Sequence, residues 1–312
     1  MTSRHRRPKE PLPFQLTTRD KDVLTSVYRH RFLSAAHVRS LHFDGAGARV
    51  CQARLQRLWS AQFVDRLYMP PEAPGVRDRW AGVPLYSLAR RGAEQVAADI
   101  DLNVADIPHT PAQNREGFSR MRHNLVVTDL LVALHGVSRA AKLKVAPVRE
   151  DTLRRMLHAA RQRGQAANAL VPDGAVTITA PTLAVPQTYI IEIVRAPVKA
   201  GNTTIQRRLF RYRAALKSGF FRIVYGFAWV RAVVFLTPTT RRTKHLALLA
   251  KNIIGGEHLF RFGAYEHRVG EATPTSTLTP SALEAPCLLA PSGKRVPFLQ
   301  FPSNLSQLQT NV

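Results

Sequence analysis

Two acidic residues interrupt the apolar stretch LVPDGAVTITAPTLAVPQTYIIEIVRA, which spans residues 170–196. Asp173 precedes one apolar run, and Glu192 lies inside the next, 19 positions later (192 − 173). A carboxylate is costly in an apolar strand unless a charge or a hydrogen bond meets it. Two on neighbouring strands offer the hard oxygen ligands that suit Mg²⁺. Such an ion polarises a phosphate and activates a water for attack. The spacing fits a hairpin, which would set the two acids side by side. Asp173 and Glu192 are therefore the candidate catalytic and metal-binding residues, with Mg²⁺ as the implied cofactor. Structural alternatives stay open: Asp173 capping a Pro-Asp-Gly turn, and Glu192 pairing with an arginine.

The order of motifs resembles the PD-(D/E)xK nuclease skeleton. In that resemblance a lysine two residues after the second acid orients the attacking water. Here the run is Glu192-Ile193-Val194, so valine occupies the lysine's place. Arg195 and Lys199 follow closely, and Arg207 and Arg208 lie on the next predicted helix, from which a basic side chain could reach back. Arginine stays protonated and replaces a lysine poorly beside a nucleophile. The expectation is a vestigial, non-cleaving site. Its pair of acids would be kept by neighbouring arginines or by weak Mg²⁺ binding.

The elements that must position this pair alternate between strand and helix. Strands are expected at KLKVAPV (142–148), ALVPDGAVTI (169–178), TYIIEIV (188–194) and AVVFLTP (232–238). Helices are expected at NTTIQRRLFRYRAALKSG (202–219) and TKHLALLAKNII (243–254), with LFRFGAY (259–265) as an edge strand. That alternation argues an α/β domain over residues 115–267. It opens on a long helix, residues 116–137, with Met121, Leu125, Val126, Leu130, Leu131 and Leu134 along one side. Asp129 on that helix could complete a site only if the helix ran beside the two strands. His123 reads as a core or boundary residue. Residues 268–312, rich in Pro, Ser and Thr, are expected to form a loosely ordered tail.

The N-terminal half has a different rhythm. After a basic tail at 1–13, expected to be disordered, TTRDKDVLTSVYRHRF reads as a helix capped by Thr18, and LSAAHVRSLHF as a second capped by Ser34. GAGARVCQARLQRLWSAQF reads as a third, with Val50, Leu55 and Leu58 facing inward. Strand FVDRLYM, a Pro/Gly-rich loop and strand PLYSLA follow, then a helix at RRGAEQVAADI. Three helices and a hairpin are the order of a winged helix-turn-helix, expected over residues 14–105, with 106–114 as a linker. Its third helix carries Arg49, Gln52, Arg54, Gln56 and Arg57. Arg and Gln make bidentate contacts with guanine and adenine edges, so these are the candidate DNA-binding residues. Arg77, Arg79 and Trp80 in the wing loop suit phosphate contact or groove-edge packing. The same helix face could instead be a solvated surface in a protein-interaction domain.

Charge favours a polyanion. Lys and Arg number 45 against 21 Asp and Glu, a formal net charge of +24, and self-repulsion of that size is relieved by a nucleic-acid partner. No apolar run approaches the ~18 residues of a membrane span, so no membrane partner is expected. The basic start lacks the apolar core of a secretory signal. Cys51 and Cys287 are the only cysteines and form no zinc or disulfide pattern, which fits a reducing cytoplasm.

Taken in order, the segments resemble the plasmid replication-relaxation family, known also as MobC-like mobilization proteins. LTTRDKDVLTSVYRHRFLSAAHVRSLHF is similar to its opening helices. ARLQRLWSAQFVDRL followed by PLYSLARRGAEQV looks like its helix, wing and Y-x-L-x-x-x-G segment. RHNLVVTDLLVAL, with His123 and Asp129, is similar to its His-containing helix. VPDG, IIEIV and the basic helix ending in YRAAL look like its C-terminal half. Val194 departs from the acid the family often shows after E-I. The resemblance implies a winged helix-turn-helix followed by a restriction-endonuclease-like α/β domain. It also implies work on plasmid or integrative-element DNA: binding at an origin, support of a relaxase, mobilization or replication. A metal-dependent endonuclease and a winged-helix transcription regulator are the alternative functions.

Overall fold

Thr17, one residue before the expected cap, starts the first helix. Its side chain and the Asp20 carboxylate satisfy each other's backbone N–H groups in a capping box. The computed structural model describes residues 7–43, 45–70, 80–114, 117–141, 143–166, 170–180, 183–194, 202–265 and 288–298. They fall into two compact units, Met1–Val132 and Ala133–Val312.

In the first unit, α1 (Thr18–His30) leads to β1 (Leu33–Ser34) and α2 (Ala35–His42). Ser34 caps α2 as its sequence position suggests, and His37 closes the box. Next come α3 (Ala48–Ser60), the strands β2 (Val64–Tyr68) and β3 (Pro84–Leu88), and α4 (Arg90–Ile100). The strands form a three-stranded sheet in the order β1-β3-β2, antiparallel throughout. Val23, Leu24, Val27, Val38, Leu55 and Leu58 build the core between helices and sheet. Val50 is 54% exposed, and Cys51 is buried in its stead. The reason is periodicity: 51, 55 and 58 share one helix face, whereas position 50 is five residues from Leu55 and points elsewhere.

Residues 106–114, expected as a linker, are built into this unit. Arg31 donates to the carbonyls of Pro108 (2.7 Å) and Gln113 (2.6 Å). Ile107 is fully buried. Asn114, at the end of α5 (Pro111–Asn114), donates to the Leu88 carbonyl at 3.0 Å. The long helix α6 (Phe118–Ala141) then begins, and the division between units falls inside it.

The second unit is a mixed seven-stranded sheet with helices, as the alternating pattern predicts. Its elements are β4 (Lys144–Arg149), α7 (Glu150–Gln162), β5 (Gly174–Thr179), β6 (Gln187–Ile193), α8 (Asn202–Lys217), α9 (Phe220–Tyr225), β7 (Val230–Thr237), α10 (Thr240–Lys251), α11 (Gly256–Leu259), β8 (Phe260–Ala264), β9 (Leu288–Leu289) and β10 (Arg295–Val296). The strand order is β10-β9-β8-β7-β6-β5-β4. β4, β5 and β6 run antiparallel, while β6, β7 and β8 are parallel. One core cluster gathers Leu157 of α7, Leu209 of α8, Phe221 of α9 and Leu246 of α10 with Ile190, Val233 and Phe260 of the sheet. These four helices therefore cover one face.

Two expectations fail here. β8 is not an edge, because β9 pairs with its outer side. Part of the supposed loose tail, residues 288–298, supplies the β9–β10 hairpin. The rest of the tail lies outside the described residues.

Gly92 in α4 explains the glycine of the Y-x-L-x-x-x-G segment. A Cβ there would come within 2.0 Å of the Phe63 carbonyl oxygen. That oxygen cannot retreat cheaply, since it accepts the Ala89 N–H at 3.1 Å. Gly92→Ala should cost at least about 1–3 kcal/mol, the range for overpacking a tight contact, in urea unfolding followed by far-UV circular dichroism. Unchanged stability would mean that α4 stands farther from Phe63.

Candidate nucleic-acid interface and a buried carboxylate pair

The five candidate side chains of α3 divide into two groups. Arg54 turns inward. Its Nε donates to Asp20 Oδ1 at 2.6 Å and its Nη2 pairs with Oδ2, while its guanidinium stacks 4.5 Å from the Phe14 ring centroid. Burial pushes the Asp20 carboxyl up, but hydrogen bonds from Arg54 and Thr17 outweigh it and hold its pKa below the usual value. Gln56 accepts from Arg66 Nη1 at 3.0 Å, and Arg66 lies 4.0 Å over Trp59. Both side chains are thus spent inside the unit. Arg49, Gln52 and Arg57 remain exposed, within an arc of about 140° at 100° per residue. Trp80 is buried against His37, with ring centroids 5.5 Å apart, so it belongs to the core and not to a wing surface. Arg77 and Arg79 lie outside the described residues.

Asp129 pairs with His37 in the first unit. Ser34 N–H donates to His37 Nδ1 at 3.2 Å. That bond leaves Nε2 as the ring donor, 2.8 Å from Asp129 Oδ1. Both side chains are buried, so the contact ties α6 to the start of α2. His123 is half-buried on α6.

Asp173 and Glu192 do come together. β5 and β6 pair Gly174 with Ile191, and one further step of that antiparallel ladder sets Asp173 opposite Glu192. Asp173 Oδ2 accepts the Ile193 N–H at 2.7 Å. Glu192 is fully buried in a strand whose every residue is buried. Its carboxylate meets two side chains of α8: the Tyr212 hydroxyl donates to Oε1, and the Arg208 guanidinium forms an ion pair with Oε2. Arg208 and Tyr212 are one helical turn apart and so project from the same face. Burial, reinforced by the Asp173 charge, raises the Glu192 pKa well above the ordinary range, against the pull of Arg208 and Tyr212. Burial and the adjacent carboxylate likewise raise Tyr212, which keeps its proton and donates it. Tyr212 reads in the sequence as a packing residue. The signal for its second role is its four-residue spacing from Arg208.

These residues do not fit a divalent ion. The Glu192 oxygens face a hydroxyl and a guanidinium, and one Asp173 oxygen is held by a backbone amide. The Arg208 guanidinium already brings a positive charge to Glu192. Among the described residues, no group of three or more His, Cys, Asp and Glu side chains is arranged to hold a metal. Val194, where a lysine was sought, is buried. Arg207 is exposed, and Arg195 and Lys199 lie outside the described residues.

The model of the replication-relaxation family matches residues 24–229, and the chain belongs to that family. No curated protein matches. Among solved structures, the chain is similar to the restriction endonuclease FokI bound to DNA, at 9% identity and a TM-score of 0.24. That likeness covers 80% of this chain and 42% of the endonuclease, so the chain spans well under two thirds of that protein. A TM-score so low carries no argument about fold or activity. No helix among the described residues is long and apolar enough to cross a membrane.

Arg208→Ala should be destabilising, because it strips a wholly buried carboxylate of its cation. The expected cost near neutral pH is about 2–4 kcal/mol, below the full range for breaking a buried pair because the Arg208 side chain is 37% exposed. The sign of the pH dependence follows from the raised Glu192 pKa. Without Arg208 the folded state binds the Glu192 proton still more tightly than the unfolded chain does. Stability is then fully present below the unfolded carboxyl pKa and falls as pH rises through the folded one. The deficit against the wild type should therefore narrow on acidification in urea titrations. A deficit that stays constant with pH would mean that Arg208 does not compensate Glu192.

Proposed function

We propose that the protein is a DNA-binding, non-cleaving accessory factor of plasmid or integrative-element replication or mobilization. In this reading the first unit is a winged helix-turn-helix with α3 as recognition helix. The second is a nuclease-like α/β domain whose metal site has been replaced by an internal ion pair. The observation that carries the proposal is the division of α3. Arg54 and Gln56 are consumed inside the unit, while Arg49, Gln52 and Arg57 stay exposed on one face. These are the side-chain types that reach base edges in the major groove. Val50, exposed beside them, offers the apolar contact that suits a thymine methyl. Arg77 and Arg79, in the connection between β2 and β3, would hold phosphates. The charge of +24 and membership of the replication-relaxation family support the same reading. A relaxase is the proposed protein partner, double-stranded origin DNA the proposed ligand, and the cytoplasm the proposed location.

The non-cleaving half rests on Arg208. A guanidinium on Glu192 supplies the neutralising charge that Mg²⁺ would otherwise bring, and it cannot accept a proton from water. Purified protein should retard supercoiled plasmid in a gel and leave it intact with Mg²⁺ or Mn²⁺. Arg49→Ala, Gln52→Ala and Arg57→Ala should each weaken binding to the cognate origin by about 1–3 kcal/mol. Affinity unchanged in all three variants would remove α3 as the recognition helix. Metal-dependent nicking lost in Asp173→Ala or Glu192→Ala would restore the nuclease.

A further inference from the structure

The second unit has a charge distribution that its internal ion pair does not explain. Between Glu192 and Glu257 the sequence contains thirteen Lys or Arg and no acidic residue. The segment includes α8, α9 and α10, which share one face of the seven-stranded sheet through a common core. Their inner sides are apolar. Their outer sides expose Arg207 and Lys217 on α8, Arg222 on α9, and Arg241, Lys244 and Lys251 on α10. Helices usually offset such charges with acids at i±3 or i±4, as α7 does where Arg154 pairs with Glu150. α8, α9 and α10 have no acid with which to do so. Arg242, at the start of α10, keeps Nε and Nη2 buried without a hydrogen-bond partner. Uncompensated like charge on one layer costs stability, and an external anion would relieve it.

We infer that the outer face of α8, α9 and α10 is a second, sequence-independent binding surface for the phosphate backbone of duplex DNA. These six cations, among the exposed Lys and Arg of the three helices, are long and solvated, and they are spread across a wide face. Those properties suit a row of phosphates better than a single small anion. Contacts of this kind position a duplex without reading it. Because they lie outside α3, they would add to its affinity and not to its sequence preference. The inference stands on the second unit's own charges and does not require α3 to be the recognition helix.

The test uses the full chain and a random-sequence duplex, with binding measured by fluorescence anisotropy at several salt concentrations. A variant carrying Gln at positions 207, 217, 222, 241, 244 and 251 is compared with the wild type and with the Arg49→Ala/Gln52→Ala/Arg57→Ala triple variant. Each lost phosphate contact should lower the magnitude of the log–log salt slope by ~0.9. If three to five of the six positions contact phosphates, the Gln variant's slope should fall by ~2.7–4.5 and its affinity at moderate salt by more than about tenfold. Its thermal unfolding in the absence of DNA should lie at or above the wild type's, because the removed charges repel one another. Should the six-fold variant not fold, Lys217→Gln/Lys244→Gln/Lys251→Gln should show about half the slope change. An unchanged slope in a folded variant overturns the inference while leaving α3 intact. Loss confined to the α3 triple variant does the same. The inference also falls if the Gln variant keeps duplex affinity but loses binding to oligo-dT or to phosphatidylserine vesicles, which would assign the face to single strands or to a membrane.

Discussion

Glu192 is a carboxylate with no water to dissolve it. It sits in β6, whose seven residues are all buried, and the surrounding architecture answers that one constraint. An isolated charge there would be too costly to keep, so the neighbouring helix must deliver donors. α8 brings Arg208 and Tyr212 to the two oxygens from adjacent turns, which fixes the rotation of the helix over the sheet. Once that rotation is set, Leu209 faces the core while Arg207 and Phe210 face outward. Asp173, next in register, is steadied by the Ile193 amide. Desolvation offsets much of the attraction in a buried pair of this sort, so it adds little net stability even though losing one partner is costly.

The first unit solves a smaller version of the same problem. Asp20 is fully buried, yet it serves as both half of the α1 capping box and the anchor for Arg54 of α3. One carboxylate thereby starts one helix and fixes the azimuth of another. That decision removes Arg54 from the outer face and leaves Arg49, Gln52 and Arg57 there. His37 repeats the logic, closing the α2 cap through Nδ1 and reaching Asp129 of α6 through Nε2.

Much of this was legible in the sequence. Apolar runs with β-branched residues marked β5, β6 and β7, and the 19-residue separation of Asp173 and Glu192 fitted a hairpin pairing that the structure contains. The Ser34 cap was local and therefore readable. What escaped were choices made across the chain. Nothing local tells that Arg54 belongs to Asp20, 34 positions away, or that Gln56 belongs to Arg66. Trp80 read as a wing residue because its loop is rich in Pro and Gly, but its partners lie on other elements. The β9–β10 hairpin is only two residues per strand, too short to show a period. α7 is different: its sequence does carry a helix signal, with Glu150 and Asp151 in the first turn and Leu153, Leu157 and Ala160 on one face.

Both the non-cleaving role and the placement of α8 depend on the Asp173–Glu192 pair being neutralised from within. The most direct measurement is Mn²⁺ binding to the full chain by calorimetry, comparing the wild type with Asp173→Ala and Glu192→Ala. If Arg208 holds the cation's place, the three proteins should give the same titration, with no saturable site assigned to the pair. A saturable Mn²⁺ site in the wild type that disappears in either variant would contradict it.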